Sequence, residues 1–247
     1  MSSAVAPIVR GFDLCRLSVR DVIECGRYLR AAGEGQAGFT AAGEAIVSFL
    51  HERLVDEAGQ RASVLTRLFK THPYHGLGPE LKSLARSGLQ GREPAARMNC
   101  LVLVATKGSE PAWNDRRLSH EHRVIPLRDA DFIRRAPMIS RLMGQLGLTP
   151  EEIVAPDPAL MRERERKQFN VFFVPEAGGS PYVPAQEGFV APHQVRSVLG
   201  FGGSLPSGNV FAVILFLRAA ISPETADLFK PLALSVKAAL LDYKEEA

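Results

Sequence analysis

Val210-Phe211-Ala212-Val213-Ile214-Leu215-Phe216-Leu217 is the most β-prone run of the chain, and its reading decides the rest. Eight apolar residues, rich in β-branched and aromatic side chains, are too few for a buried helix and suit a strand covered on both faces. Just before it, residues 204–209 (Ser-Leu-Pro-Ser-Gly-Asn) carry turn residues and almost nothing to bury. Residues 195–203 (Val-Arg-Ser-Val-Leu-Gly-Phe-Gly-Gly) are a short apolar run ending in glycines. After the central run, Ser222-Pro223-Glu224 offers an N-cap hydroxyl, a proline at the first helical position and a first-turn carboxylate. The helix that follows sets Thr225, Phe229, Leu232, Val236, Ala239 and Leu240 on one face. The order is strand, tight turn, buried strand, long amphipathic helix.

Upstream, residues 1–11 are small and partly apolar and read as a mobile tail. Residues 20–31 predict a helix with Val22, Cys25, Tyr28 and Leu29 on one side, and residues 32–39 a glycine-bearing loop. Thr40 is the expected N-cap of a second helix through residue 57, with Ala42, Ile46, Phe49, Leu50 and Leu54 inward and Gly59 ending it. In residues 61–70, Val64, Thr66 and Leu68 alternate against Leu65, Arg67 and Phe69, the period of a strand. Residues 71–78 read as a loop set by proline and two glycines, 79–86 as a short helix and 88–97 as a second loop. Residues 98–106 predict a strand buried on both faces.

Residues 107–123 are polar and hold the single tryptophan, Trp113; the segment 124–127 is too short to assign firmly. Residues 129–146 predict a helix that Pro137 is placed to break. Gly147 ends it, and Thr149-Pro150-Glu151-Glu152 starts another. Residues 162–167, Arg-Glu-Arg-Glu-Arg-Lys, read as a solvated helix face, 168–174 as a strand and 175–188 as a long loop. No repeat, low-complexity segment or composition shift marks a linker. One domain over residues 12–247 is therefore preferred to two: 12–59 as N-terminal helices, 60–217 as sheet and loops, 222–241 as the closing helix.

The chain has 247 residues, 46% of them hydrophobic and 23% charged, enough for a sizeable core without disulfide staples. A net charge of +3, with basic residues scattered among acidic ones, gives no footprint for nucleic acid. No apolar run of about 18 residues exists to span a bilayer, and the first ten residues lack the pattern of a signal peptide. Cys15, Cys25 and Cys100 are odd in number and widely spaced, which reads as reduced thiols in a cytoplasmic setting.

The hairpin and closing helix, about a fifth of the chain, resemble the C-terminal half of a GAF-like domain, a relative of the PAS domains used as bacterial sensory modules. Glu110-Pro-Ala-Trp113-Asn-Asp-Arg-Arg-Leu118, Phe169-Asn-Val-Phe-Phe-Val174 and Ser180-Pro-Tyr-Val-Pro-Ala-Gln186 are similar to sensor segments that precede PAS and histidine-kinase modules. The resemblance implies an α/β (α+β) fold: a GAF-like central antiparallel sheet flanked by helices, with an N-terminal helical extension and long pocket-covering loops. It implies a sensor and names no ligand.

No catalytic signature stands out. There is no Gly-x-Ser-x-Gly elbow, no phosphate-binding Gly-x-x-x-x-Gly-Lys-Ser/Thr and no Cys-x-x-Cys. Gly200-Phe201-Gly202-Gly203 is followed by a turn and a strand, where a phosphate loop needs a helix N-terminus, so hairpin geometry is the better reading. Cys100, inside an apolar strand, reads as a small buried hydrophobe. Trp113 beside Asn114, Asp115, Arg116 and Arg117 can stack on a planar ligand and hold its oxygens; alternatively the loop is surface and the tryptophan plugs onto the core. Tyr182, Gln186 and Arg196 would complete the wall of such a pocket. His72 and His75 lie three apart, His120 and His122 two apart, and two such pairs on separate loops could converge on a metal. One of His72 or His75, or next His51, would suffice as a haem ligand. The commoner role of a loop histidine is solvent-exposed or bonded to backbone.

Two readings follow. In the first, a non-catalytic sensor binds a small ligand under residues 107–128 and 175–194. It signals through helices 20–31, 40–57 and 222–241 paired between the subunits of a homodimer, onward to a kinase or other signalling module. The apolar stripe reaching Leu228 and Leu241 motivates the dimer. In the second, the loop histidines hold haem or a metal for a gas or redox sensor. A small hydrolase or transferase is a third, without a nucleophile–base pair to support it.

Overall fold

The computed structural model describes residues 10–119, 122–145, 147–154 and 171–245. Residues 1–9 of the expected tail, His120 and the charged run 162–167 lie outside the described residues.

Six strands make the central sheet among the described residues: β3 (Ser63–Pro73), β4 (Asn99–Gly108), β5 (Val124–Leu127), β6 (Val171–Val174), β7 (Ser197–Ser204) and β8 (Val210–Leu217). Their order is β5-β4-β3-β8-β7-β6, and every neighbouring pair is antiparallel. A separate parallel pair joins β1 (Phe12–Asp13) to β2 (Leu54–Val55). The helices are α1 (Val19–Gly33), α2 (Phe39–Arg53), α3 (Pro79–Gly88), α4 (Ala130–Arg135), α5 (Pro137–Gln145), α6 (Pro150–Val154), α7 (Pro223–Asp227) and α8 (Lys230–Leu240). The arrangement is the α/β one anticipated from the sequence: a hairpin of central strands, a closing helical segment, and helices flanking an antiparallel sheet.

Local chemistry explains the hairpin. The Leu205 N–H donates to the Asn209 carbonyl at 2.7 Å, and Gly208 takes φ +86° in the turn. A Cβ at Gly202 would stand 2.0 Å from the Phe211 carbonyl oxygen, so the glycine run serves strand packing. β8 is buried along its whole length, and its side chains alternate between two cores. Phe211, Val213 and Leu215 join α1, α2 and α8 on one face. Ala212, Ile214 and Phe216 face the side covered by α4–α6 and the segment 175–196. Each buried Phe, Leu or Ile contributes about 1.5–3 kcal/mol, so the two cores supply most of the driving force. α3 covers β4 and β5 through Leu81, Ala85, Val102 and Val124.

Some boundaries differ from expectation. The second helix is preceded by Gly38, not capped by Thr40, and it ends at Arg53 because Leu54 and Val55 pair with Phe12 and Asp13. β3 runs on to Pro73, so His72 lies on a strand opposite Cys100 and not in a loop. The closing helix is two helices. Pro231, which lacks an N–H, sits in the first turn of α8 and interrupts the ladder after Asp227. Pro137 divides α4 from α5 as read. Arg10, within the expected tail, donates to Glu24 at 3.2 Å and also pairs with Asp21.

α1 and α8 meet through small residues. A Cβ at Gly33 would stand 2.6 Å from Ala239 Cβ, and Arg30 Nη1 donates to Ser235 Oγ at 2.8 Å. Much of the apolar stripe of the closing helix is thus consumed inside the chain. Leu234 and Leu241 stay about half exposed, and Val19 and Ile23 on α1 more than half. Among the described residues no helix is long and apolar enough to cross a membrane.

Candidate ligand-binding site

The face of the sheet away from α1, α2 and α8 carries a hollow of about 510 Å³ at the start of β3 and the end of β8. Strand register builds its floor. Leu65 lies opposite Phe216, and Arg67 opposite Ile214 on one side and Thr106 on the other. Two loop segments make the walls: 112–119 with Trp113, Leu118 and Ser119, joined by His122, and 184–189 with Phe189.

Trp113 rides on a 3-10 turn, Pro111–Asn114. Asn114 fixes that turn: its Oδ1 accepts from the Gly108 N–H at 3.1 Å and its Nδ2 donates to the Glu110 carbonyl at 3.2 Å. A Cβ at Gly108 would stand 2.7 Å from Trp113 Cε3, so only glycine lets the indole lie across the end of β4. The indole meets the His193 ring at 4.7 Å and Phe189 at 5.4 Å; Phe189 meets Phe216 edge-on at 5.0 Å. Such edge-to-face pairs are favoured by the ring quadrupoles.

The 175–196 segment is knotted by one side chain. Gln186 Nε2 donates to the carbonyls of Val183 (2.7 Å), Ala177 (3.0 Å) and Ser180 (3.3 Å), and its Oε1 accepts from the Gly179 N–H at 2.8 Å. Ala185, on the rim of the hollow, takes left-handed φ +57° without being glycine.

Arg67 is the charged residue of the floor. Its Nε is shut off from solvent without a hydrogen-bond partner, and burial pulls the guanidinium down to about 10. Thr106, 5% exposed, has an Oγ1 in the same condition.

The residues expected to form the site divide. Trp113 and His122 border this hollow. Gln186 and Arg196 border a neighbouring one of about 370 Å³. Asn114 serves the turn, and Arg117 Nη2 donates to Asp115 Oδ2 at 2.7 Å on the surface, holding that carboxyl at about 2. Arg116 shares the adjoining 3-10 turn, Arg116–Leu118, partly buried. Tyr182 packs on the core with the Arg141 guanidinium 4.2 Å from its ring centre.

His72 and His75 lie near the far end of β3, five residue steps or about 16 Å along the strand from Arg67. They do not share the hollow with His122. Among the described residues no three His, Cys, Asp or Glu side chains gather as a metal site. His51 is buried against Ser63 Oγ at 3.2 Å, and Cys100 and Cys25 are buried with thiols pushed up to about 12. Sequence reading passed over Phe189, His193, Phe216 and the role of Arg67; the signal for Arg67 was its place between Leu65 and Phe69 in the alternation.

No protein-family model matches the chain, and no curated protein matches its sequence. A solved structure described as that of the GAF domain is similar over 93% of this chain and 92% of its own, at 8% identity and a TM-score of 0.47. The N-acylhomoserine-lactone-dependent LuxR-family transcription factor CepR2 from Burkholderia cenocepacia is similar over 90% of this chain and 94% of its own, at 12% identity and a TM-score of 0.39.

Proposed function

We propose that this chain is a sensory domain, one unit from residue 12 onward, that binds a small organic molecule in the hollow floored by Leu65, Arg67 and Phe216. The observation that carries the reading is the hollow's make-up. Its volume, about 510 Å³, falls in the ordinary range for small-molecule sites, and its walls are aromatic and aliphatic with few polar groups. Among the described residues no side-chain hydrogen bond joins a nucleophile to a base in its lining, and binding is the reading its make-up supports.

Ordering of the 112–119 and 184–189 walls around a ligand would act on β3 and β8, which also carry the helical layer. The output is a change in how α1 and α8 pair with a second copy through Val19, Ile23, Leu234 and Leu241, passed to a kinase or other signalling module. Three free cysteines suit a reducing, cytoplasmic setting.

Trp113 is the chain's only tryptophan and stands on the wall, so its emission reports occupancy directly. Native mass spectrometry of the purified chain should find a co-purified small molecule whose removal changes that emission. A mass equal to the bare chain, with emission insensitive to any compound that raises the melting temperature, would sink the reading. A visible spectrum with metal analysis separates it from the haem or metal alternative. Colourless, metal-free protein is expected; a Soret band would overturn the organic-ligand reading and make His122 the first residue to replace. Light scattering tests the output: a chain that stays monomeric at high concentration has no such dimer.

A further inference from the structure

We infer that Arg67 is the anchor for a carboxylate, and that the ligand of the hollow is a small organic acid with an aromatic or branched apolar body. The inference rests on the ligand-site reading above and adds the chemical class.

The first support is what other enclosed cations do. Lys70 has Glu245 at 3.5 Å, Arg123 donates to both oxygens of Glu80, and the guanidinium groups of Arg128 and Arg141 lie over the rings of Phe132 and Tyr182. Among the described residues Arg67 has no carboxylate within ion-pair reach and no ring beneath it. Arg67 is partly buried with its Nε shut off from solvent; a guanidinium carries five N–H donors and stays charged, so shutting part of it off from water without an anion costs free energy. Burial is the sole cause of its lowered basicity, which fits an absence of nearby charges.

The second support is Thr106. It stands directly across the strand pair from Arg67; the residue is 5% exposed, and its hydroxyl is shut off from solvent without a partner among the described residues. Arg67 lines the hollow with Trp113, Phe189 and Phe216, and Thr106 neighbours it across the strand pair; two unsatisfied polar groups so placed match a ligand with one planar oxygen pair and an apolar remainder. A phosphate dianion fits less well. No lysine or second arginine lines the hollow among the described residues, so one guanidinium balances one negative charge.

The test uses the full chain and matched probes: phenylacetate and indole-3-acetate, their neutral amides, and inorganic phosphate. Trp113 emission and melting temperature are the readouts. Each acid should bind at least roughly tenfold more tightly than its amide, with phosphate inert. Arg67→Met should erase the preference, leaving acid and amide equally weak, and Thr106→Val should reduce it. Arg67→Lys keeps the charge without the fork and should retain only part of it, which guards against a folding artefact. Amides binding as well as acids, or an undiminished acid preference in Arg67→Met, would overturn the anchor and leave the ligand site standing. No response to acids or amides also overturns the carboxylate class; the ligand site itself is then decided by the co-purified mass, which does not depend on charge.

Discussion

The ammonium of Lys70, fully buried beneath the helical layer, lies 3.5 Å from a carboxylate oxygen of Glu245 at the far end of the chain. Asn209 Nδ2 donates to the same oxygen at 2.7 Å, and the ammonium is 5.0 Å from the centre of the Phe39 ring. Tyr243 ties the same tail to α1: its hydroxyl donates to the Gly33 carbonyl at 2.5 Å and accepts from the Gln36 N–H at 2.8 Å. Removing one member of a buried pair costs more than removing the buried charge itself, because the remaining ion keeps its desolvation penalty. Glu245→Ala should therefore lower stability by about 2–4 kcal/mol, and Lys70→Met by about 1 kcal/mol or less. Guanidinium unfolding of both variants checks this; equal losses would refute the asymmetry.

Arg67→Met should raise stability. The substitution keeps much of the side-chain length and removes a charge that no described residue pairs. A gain of about 1 kcal/mol corresponds to a rise in melting temperature of roughly 2–4 °C for a chain of this size. A fall instead would mean that Arg67 holds the floor together, contrary to its lack of partners.

His51 sets an acid limit. Burial first, and then the positive charges of Arg61, Lys107 and Arg218, push its imidazole down to about 4 from 6.5. The folded chain holds this ring neutral, while the unfolded chain takes up a proton near 6.5. The contribution is fully present above about 6.5 and is lost as pH falls from there through about 4, at up to roughly 1.4 kcal/mol per pH unit. His72, also lowered by burial, adds to the same slope. Urea midpoints between pH 7 and 5 should decline in the parent chain and flatten in His51→Gln.

Gly33→Ala and Gly144→Ala should have opposite signs, although both add a good helix former. At position 33 the new Cβ would stand 2.6 Å from Ala239 Cβ and 2.7 Å from its carbonyl oxygen, forcing α1 and α8 apart at a cost of about 1–3 kcal/mol. At position 144 nothing lies within 4 Å, and the gain is about 0.5–1 kcal/mol. Thermal unfolding of the pair separates interhelical contact from helix propensity.

Gly108→Ala should displace Trp113. The added methyl would stand 2.7 Å from Cε3, and the indole must swing out from the aromatic cluster it shares with His193 and Phe189. Trp113 emission should move to longer wavelength and ligand response should weaken. An unchanged spectrum would contradict the seating of the ring over the strand end.

Much of the architecture was legible because burial leaves plain marks. An eight-residue apolar run between turn residues reads as a two-sided strand, and Ser222-Pro223, Pro137 and Thr149-Pro150 punctuate helices through fixed backbone chemistry. Pro231 was equally visible, yet the apolar stripe outweighed it. The hollow was only partly legible. Trp113 drew notice as an aromatic among polar residues, but Asn114 and Gln186 proved to spend their amides on backbone turns, a use that depends on loop geometry. Alternation already grouped Arg67 with Leu65 and Phe69. Which face of the sheet receives helices and which is left hollow depends on pairings such as Leu65 with Phe216, more than a hundred residues apart, and these follow from global topology.

The alternation along β8 divides what can be changed from what cannot. Phe211, Val213, Leu215 and Leu217 serve the helical core, while Ala212, Ile214 and Phe216 belong to the core of the other face, where Phe216 floors the hollow. On the proposed ligand-site reading, a gene library varied only at codons 65, 67 and 216 would therefore reshape the floor of the hollow while leaving the helical layer untouched. On that reading, descendants of this chain could change what they bind by point mutation while the opposite face of the sheet kept its packing.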